Sequence, residues 1–414
     1  MFATPSPATM ARSALRGWLG AVFAAFFIAG LGLASWMSRV PAVRDGLGLD
    51  TAQVGLLIFG LSSGSVIGLL IAAGLLGRLG ARRAMMVSVS LTAVGLVLMG
   101  IGVSVAPSAP FVFVALAIFG IGIGSLDVMM NVEGAAAERA AGRTLMPLMH
   151  ACFSLGTVVG ALGGAAASAL QVSVLWHLLA IAVVAVITIV VMVRFIPAAV
   201  TASTTAKAPQ QAWRERLQGS LAVWRDRTLL LIGVIVLGMT FAEGSANDWL
   251  ALAAVDGHGF SNTDGAIVFG VFVAAMTVGR VVGGPILDRF GRVPVLRACA
   301  VVGIAGLLLF ILAPSTPFIF VGIVLWGLGA SLGFPVGMSA AADDAKNAAA
   351  RVSAVAIIGY FAFLVGPPVL GLLGETWGIL NALFLVLVLM VLAGLAAPAA
   401  RPAASGTPAA RSRE

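Results

Sequence analysis

The chain is 414 residues long, 60% of them hydrophobic and only 10% charged, with a mean hydropathy of +1.10. No soluble globular chain of this length has that balance, so a water-soluble enzyme is excluded and an all-α polytopic membrane protein is predicted. The net charge of +8 follows from where basic residues fall along the membrane topology, and no nucleic-acid partner is expected.

Crossing roughly 30 Å of hydrocarbon with every backbone group bonded internally takes about 20 apolar residues in a helix. Twelve such runs are predicted, at 17–38, 52–76, 84–106, 111–135, 146–169, 174–195, 228–252, 264–287, 295–313, 317–341, 351–373 and 378–397. The first follows Arg12 and Arg16 but is too long for a signal peptide, and it is read as a retained span. If the N-terminus is cytosolic, all of the 24 Lys and Arg except Arg39 and Arg44 fall on the cytosolic side or near its membrane face, which sets both termini inside. The preponderance of Arg over Lys suggests a GC-rich bacterial genome, hence the inner (cytoplasmic) membrane. A monomer is expected. The domain reading is a disordered tail at 1–16, a six-helix bundle at 17–196, a cytosolic linker at 197–227, a second six-helix bundle at 228–397 and a disordered tail at 398–414. From Gln211 the linker is read as a short amphipathic helix with Trp213, Leu217, Leu221 and Trp224 on one side.

Polar residues are so scarce inside the spans that each one demands a reason. In span four, Asp127, Asn131, Gly134 and Glu138 recur at helical spacing, on a face shared with Gly120 and Gly124. A carboxylate facing lipid costs about 2.5–3.5 kcal/mol on insertion scales, so this face is predicted to look into the protein. Asp127 there is either an interhelical hydrogen-bonding group or a proton-coupling site. Desolvation in a closing apolar cavity favours the neutral acid and hydration on opening favours the ion, which is the behaviour a proton switch requires. His150 in span five is placed at a depth comparable to Asp127, where it is either a satisfied bundle histidine or a partner.

In span seven, Thr240, Glu243 and Asn247 repeat the helical spacing, with Asp248 nearer the surface and Trp249 as an interface anchor. Glu243 is either a second titratable group, a substrate ligand or a structural bond. Arg280 in span eight must find a carboxylate or snorkel to the cytosol. In span eleven, Gly366-Pro367-Pro368 should kink the helix. Trp36, Asn131, His150, Glu243, Asn247, Trp326 and Tyr360 are the candidates to line a central cavity. Cys152 and Cys299 are read as small packing residues, with no disulfide, metal site or cofactor expected.

The chain also repeats itself. RLGARR at 78–83 returns as DRFGRVP at 288–294, at an offset of 211, and FGIGIGS at 119–125 returns as WGLGASL at 326–332. GPILDRFGRV, 284–293, and AGLLGRLGARR, 73–83, resemble the paired loop signature of the major facilitator superfamily, with Gly77 where the family has Asp. That resemblance implies two six-helix bundles rocking about a midplane cavity. It further implies a gate at the cytosolic loops made by Arg78, Arg82, Arg83, Asp288, Arg289 and Arg292, with Arg280 nearby and Asp288 meeting a helix N-terminus of the opposite half.

Within the superfamily, Asp127 followed by Asn131 is similar to the Glu-x-x-x-Asn signature of the fucose permease type of proton symporter, and His150 falls at a sugar-contact position. EGSANDW, 243–249, and MTVGRVVGGPILDRFG, 276–291, resemble bacterial relatives of that branch. Helix one lacks that type's acidic residue, and Phe153 replaces its asparagine. GTVVGALGG, 156–164, resembles the motif of proton-driven exporters, with Ala161 in place of Pro, and equally fits close helix packing. The expectation is a secondary transporter of a small polar solute such as a sugar, driven by protons. A drug or metabolite antiporter and a non-transporting sensor are the alternatives. Histidines at 150, 177 and 258 form no catalytic or metal constellation, and no phosphate-binding loop for ATP exists, so enzymatic function is not expected.

Overall fold

The computed structural model describes residues 12–142, 145–197, 223–343 and 348–401. Most of the linker reading and both tails' outer parts lie outside these residues. Thirteen α-helices are described and no strand occurs among the described residues. In chain order they are α1 (Arg12–Met37), α2 (Val40–Leu47), α3 (Thr51–Ser104), α4 (Ala109–Ala141), α5 (Met146–Ala169) and α6 (Val174–Met192). After the linker come α7 (Arg227–His258), α8 (Asn262–Phe290), α9 (Arg292–Leu312), α10 (Thr316–Ala330), α11 (Gly333–Ala341), α12 (Ala348–Trp377) and α13 (Ile379–Ala396).

Helix α3 has 54 residues, about 80 Å at 1.5 Å per residue, far more than one bilayer crossing. It is two spans meeting at Gly80, whose φ of 72° and ψ of 165° only glycine adopts without strain. Gly291, at the offset of 211 seen in the sequence, joins α8 to α9 with φ 79° and ψ 167°. The repeat is therefore written in backbone conformation as well as in letters. Counting α3 twice, and α10 with α11 as one interrupted span, gives twelve crossings.

The two copies are not identical. Where α4 runs unbroken, its counterpart breaks between Ala330 and Gly333. The Gly80 and Gly291 turns and both chain ends share one side, the near rim. The opposite side, the far rim, carries α2 and the turns before α4, α6, α8 and α13. Helix starts there are capped by side chains: Asp50 and Gln53 form a reciprocal box, Ser261 and Asp264 another, and Ser108 and Ser173 each accept one backbone N–H.

Close approach of backbones, through small residues, holds neighbouring helices together. A Cβ on Gly64 of α3 would overlap the Ala117 carbonyl of α4, and one on Gly30 of α1 would overlap the Phe153 carbonyl of α5. Gly156 and Gly160 meet the Phe27 and Leu31 carbonyls, so the small-residue stretch of α5 is the packing surface for α1. Gly120 and Gly124 likewise press on α3 at Leu61 and Ser65. Helix α12 continues through Pro367 and Pro368, whose missing N–H groups leave the carbonyls of Phe363 and Leu364 without their usual helical donors.

Candidate substrate cavity

Between the two halves lies a cavity of about 280 Å³, walled by α1, α3, α4 and α5 on one side and by α7, α8 and α12 on the other. On α1 the wall residues are Ala29, Leu33 and Met37, four apart, and on α4 they are Ile123, Gly124, Asp127 and Met130. Ser62 and Ser65, Ser154 and Thr157, and Asn247 add neutral polar groups, while Phe153, Phe269, Tyr360 and Phe363 supply aromatic surface.

Three carboxylates and one guanidinium face this space: Asp127, Glu243, Asp248 and Arg280. Glu243 and Arg280 pair at 2.7 Å. Arg280 Nε also lies 3.4 Å from the Ser331 carbonyl, an acceptor freed where α10 breaks. The partner that the sequence left unnamed is thus Glu243, and Arg280 belongs to the cavity wall. Asp127 takes part in none of the ion pairs found among the described residues. Its side chain has one hydrogen-bond partner among the described residues, Asn131, whose amide donates to the Asp127 backbone carbonyl at 2.8 Å and more weakly to Oδ1 at 3.4 Å.

Several expected wall residues are elsewhere. Trp36, one residue off the Ala29–Leu33–Met37 stripe, is turned about 100° away and buried in the first half. Trp326 is fully buried between Phe272 and Phe310, with ring centroids 5.5 and 6.0 Å away. Asn131 is half-buried beside Asp127 but off the wall. His150 does not reach Asp127: it lies four residues inside α5, whereas Asp127 lies 14 residues before the end of α4, about 15 Å deeper at 1.5 Å per residue. It is exposed and packs edge-on against Phe26, centroids 5.0 Å apart.

Asp248 is buried on the cavity wall, not near the surface, and Trp249 is a fully buried packing residue, not an interface anchor. Glu133 was overlooked by the sequence reading. It is fully buried on another face of α4, where Trp18 Nε1 donates to Oε2 at 3.1 Å. Glu138 caps α5, accepting the Leu145 and Met146 amides at 2.5 and 2.7 Å.

The rims differ. Every hydrogen bond between residues 12–197 and 223–401 found among the described residues lies at the far rim. Arg44 pairs with Asp256, Asn262 donates to Asp45 at 2.9 Å, Thr263 to Ser168 at 3.1 Å, and the Thr51 amide to Glu375 at 2.9 Å. Gly55 also abuts α12, where an added Cβ would lie 2.7 Å from the Pro367 carbonyl. No such bond is found at the near rim among the described residues. There Arg78, Arg83 and Asp288 are exposed, and Arg289 is exposed over the Phe290 ring at 5.3 Å. Arg82 donates to the Ile196 carbonyl, and Arg292 reaches Asp343 and Ser339 within its own half. Asp288 meets no helix terminus of the opposite half among the described residues.

The sequence profile described as Major Facilitator Superfamily matches residues 22–362 and 249–413. The chain belongs to the major facilitator superfamily. As a member it is a multi-pass membrane transporter of the superfamily fold, not an enzyme. It is 32% identical over 394 residues to an uncharacterized transporter, y4wD, of Sinorhizobium fredii, covering 94% of this chain and 99% of that one. It is 31% identical over 352 residues to an uncharacterized MFS-type transporter of Yersinia pestis, covering 85% and 87%.

Among solved structures, the nucleoside transporter NupG superposes with a TM-score of 0.70 at 16% identity, covering 94% of this chain and 98% of NupG. FucP in its outward conformation superposes at 0.65 with 16% identity, covering 93% and 100%. At such identities the likeness concerns the fold. The transporter binds its small-molecule substrate within a lipid bilayer, as superfamily members do.

Proposed function

We propose that this transporter moves a small polar solute, of the sugar or sugar-derivative class, across the bacterial inner membrane by proton-coupled alternating access, with both termini cytosolic. The observation that carries the proposal is Asp127, a carboxylate on the wall of the cavity between the halves with no counter-ion among the described residues. A charged carboxylate there opposes closure around a dry cavity, and a neutral one does not, so proton binding and closure favour each other. Glu243 is held by Arg280, which leaves Asp127 and Asp248 as the wall carboxylates outside the ion pairs found among the described residues, and the coupling role is assigned to Asp127. Asn247, the serines and Thr157 offer hydrogen-bonding groups to hydroxyls, and the aromatic rings offer flat apolar faces to a sugar ring. With the termini inside, the far rim is periplasmic, and the hydrogen bonds gathered there support an inward-facing reading.

The solute is found first by thermal-shift screening of purified protein against sugars, sugar derivatives, amino acids and cationic drugs. Asp127→Asn is then compared with wild type in proteoliposomes. Uphill uptake driven by a pH gradient is lost while counterflow of the same solute continues. Persistence of uphill uptake at the wild-type rate removes Asp127 from the coupling role.

The mostly apolar and aromatic character of the wall favours a second reading, export of an amphipathic compound by antiport. Accumulation in inverted vesicles with an acid lumen, rather than in right-side-out vesicles with an alkaline lumen, separates antiport export from symport import.

A further inference from the structure

At the far rim, away from the central cavity, a second pocket of about 420 Å³ spans the seam between the halves. Its walls include Arg39 after α1, Ser104 at the end of α3, Ser173 before α6, and Thr263 at the start of α8. No carboxylate among the described residues lines it. Arg39 is only 5% exposed. Its Nη2 donates to the Val172 carbonyl at 2.8 Å, but Nε and Nη1 meet no acceptor among the described residues.

The far-rim carboxylates near the seam are already engaged, Asp45 by Arg44 and Asn262, and Asp256 by Arg44. The surrounding hydroxyls compound the imbalance. Ser104 Oγ and Ser173 Oγ each accept a backbone N–H, from Leu175 at 3.3 Å and Trp176 at 3.4 Å, so both protons remain to be donated. Arg39 is thus a buried cation on the pocket wall that pairs with no carboxylate among the described residues.

We propose that this pocket binds a small oxyanion of the phosphate class, either free or as a phospholipid headgroup. The anion bridges Arg39 and Ser104 of the first half to the backbone N–H groups of Asn262 and Thr263, which open α8 in the second. Since these walls meet only while the far rim is closed, binding draws the population toward that state.

The test is a titration of purified, lipid-depleted full-length protein with sodium phosphate, with sodium chloride at matched ionic strength as the control. The thermal midpoint rises with the logarithm of phosphate concentration above saturation in wild type. The response disappears in Arg39→Gln and survives in Arg39→Lys. In Ser104→Ala half-saturation weakens about tenfold, as expected for one hydrogen bond to a charged group, which keeps the proposal testable should Arg39→Gln fail to fold.

Short-chain phosphatidylglycerol, compared with the matching diacylglycerol, identifies a lipid source if it acts and inorganic phosphate does not. Spin labels at Ala106→Cys and Ser315→Cys, exposed far-rim positions in opposite halves, with Cys152 and Cys299 replaced by Ser, show the short-distance population growing as the active anion is added. If neither phosphate nor the lipid shifts the midpoint beyond its control, or Arg39→Gln responds like wild type, the pocket is merely hydrated and the proposal falls. An unchanged label distance despite binding removes the bridging role.

Discussion

Asp127 and Glu243 look alike in the sequence, each an acid inside an apolar span, yet their surroundings separate their roles. Glu243 has a guanidinium at 2.7 Å, whereas Asp127 has only an amide from its own helix. Glu243→Gln strands Arg280, leaving a half-buried cation with one carbonyl at 3.4 Å, and is expected to lower stability by about 1–3 kcal/mol. Adding Arg280→Gln removes the stranded charge and restores part of the loss. Thermal unfolding in detergent of the two single variants and the double checks this; additive losses would show that the pair is not coupled.

Spacing made Asp127, Glu243, Asn247 and Tyr360 legible as cavity residues, because a polar group in a lipid-soluble helix has few other places to go. It did not identify Trp36 and Trp326 correctly, since a tryptophan is at home on any buried face and one residue of helical phase, about 100°, decides which face it takes. Glu133 escaped for the complementary reason: its partner, Trp18, lies on another helix, and a contact between residues 115 apart in sequence leaves no local pattern.

Among the elements, crossings were the most legible feature, since length and hydropathy alone specify them. Helix ends and interruptions were less so. Hydropathy ends span seven at 252, whereas α7 runs on to His258, and it carries no signal for α2. The break in span ten was hidden because WGLGASL reads as continuous as its counterpart in α4. Its freed Ser331 carbonyl nonetheless serves the site, by facing Arg280.

Glycine patterns carried more than they first revealed. Gly64 of α3 sits where any Cβ would collide with the Ala117 backbone of α4, whereas Gly74, one helical stretch later, has nothing within 4 Å. Gly64→Ala therefore forces the helices apart, at about 1–3 kcal/mol for overpacking, while Gly74→Ala is neutral or slightly stabilising through helix propensity. Paired unfolding measurements decide this; equal effects at the two sites would mean that α3 and α4 do not rely on backbone contact.

At the scale of the whole molecule, the asymmetry between the rims is what a rocking mechanism needs: one side is latched, and the other has no such bond among the described residues. The latch is small. Arg44, joined to Asp256 across the halves and to Asp45 beside it, is the only far-rim ion pair between halves among the described residues, with side chains 19% and 25% exposed. A pair so placed contributes about 1 kcal/mol at most, enough to shift a two-state population about fivefold and too little to freeze it.

That size suits a transporter, which must release the latch every cycle. Arg44→Ala and Asp256→Ala are each expected to increase the far-open population severalfold, read as long distances between spin labels at Ala106→Cys and Ser315→Cys. The double variant should do little more than either single one, because both remove the same contact. Full additivity would mean that the two residues act independently, and that the far rim is held instead by the close packing of Gly55 on α12.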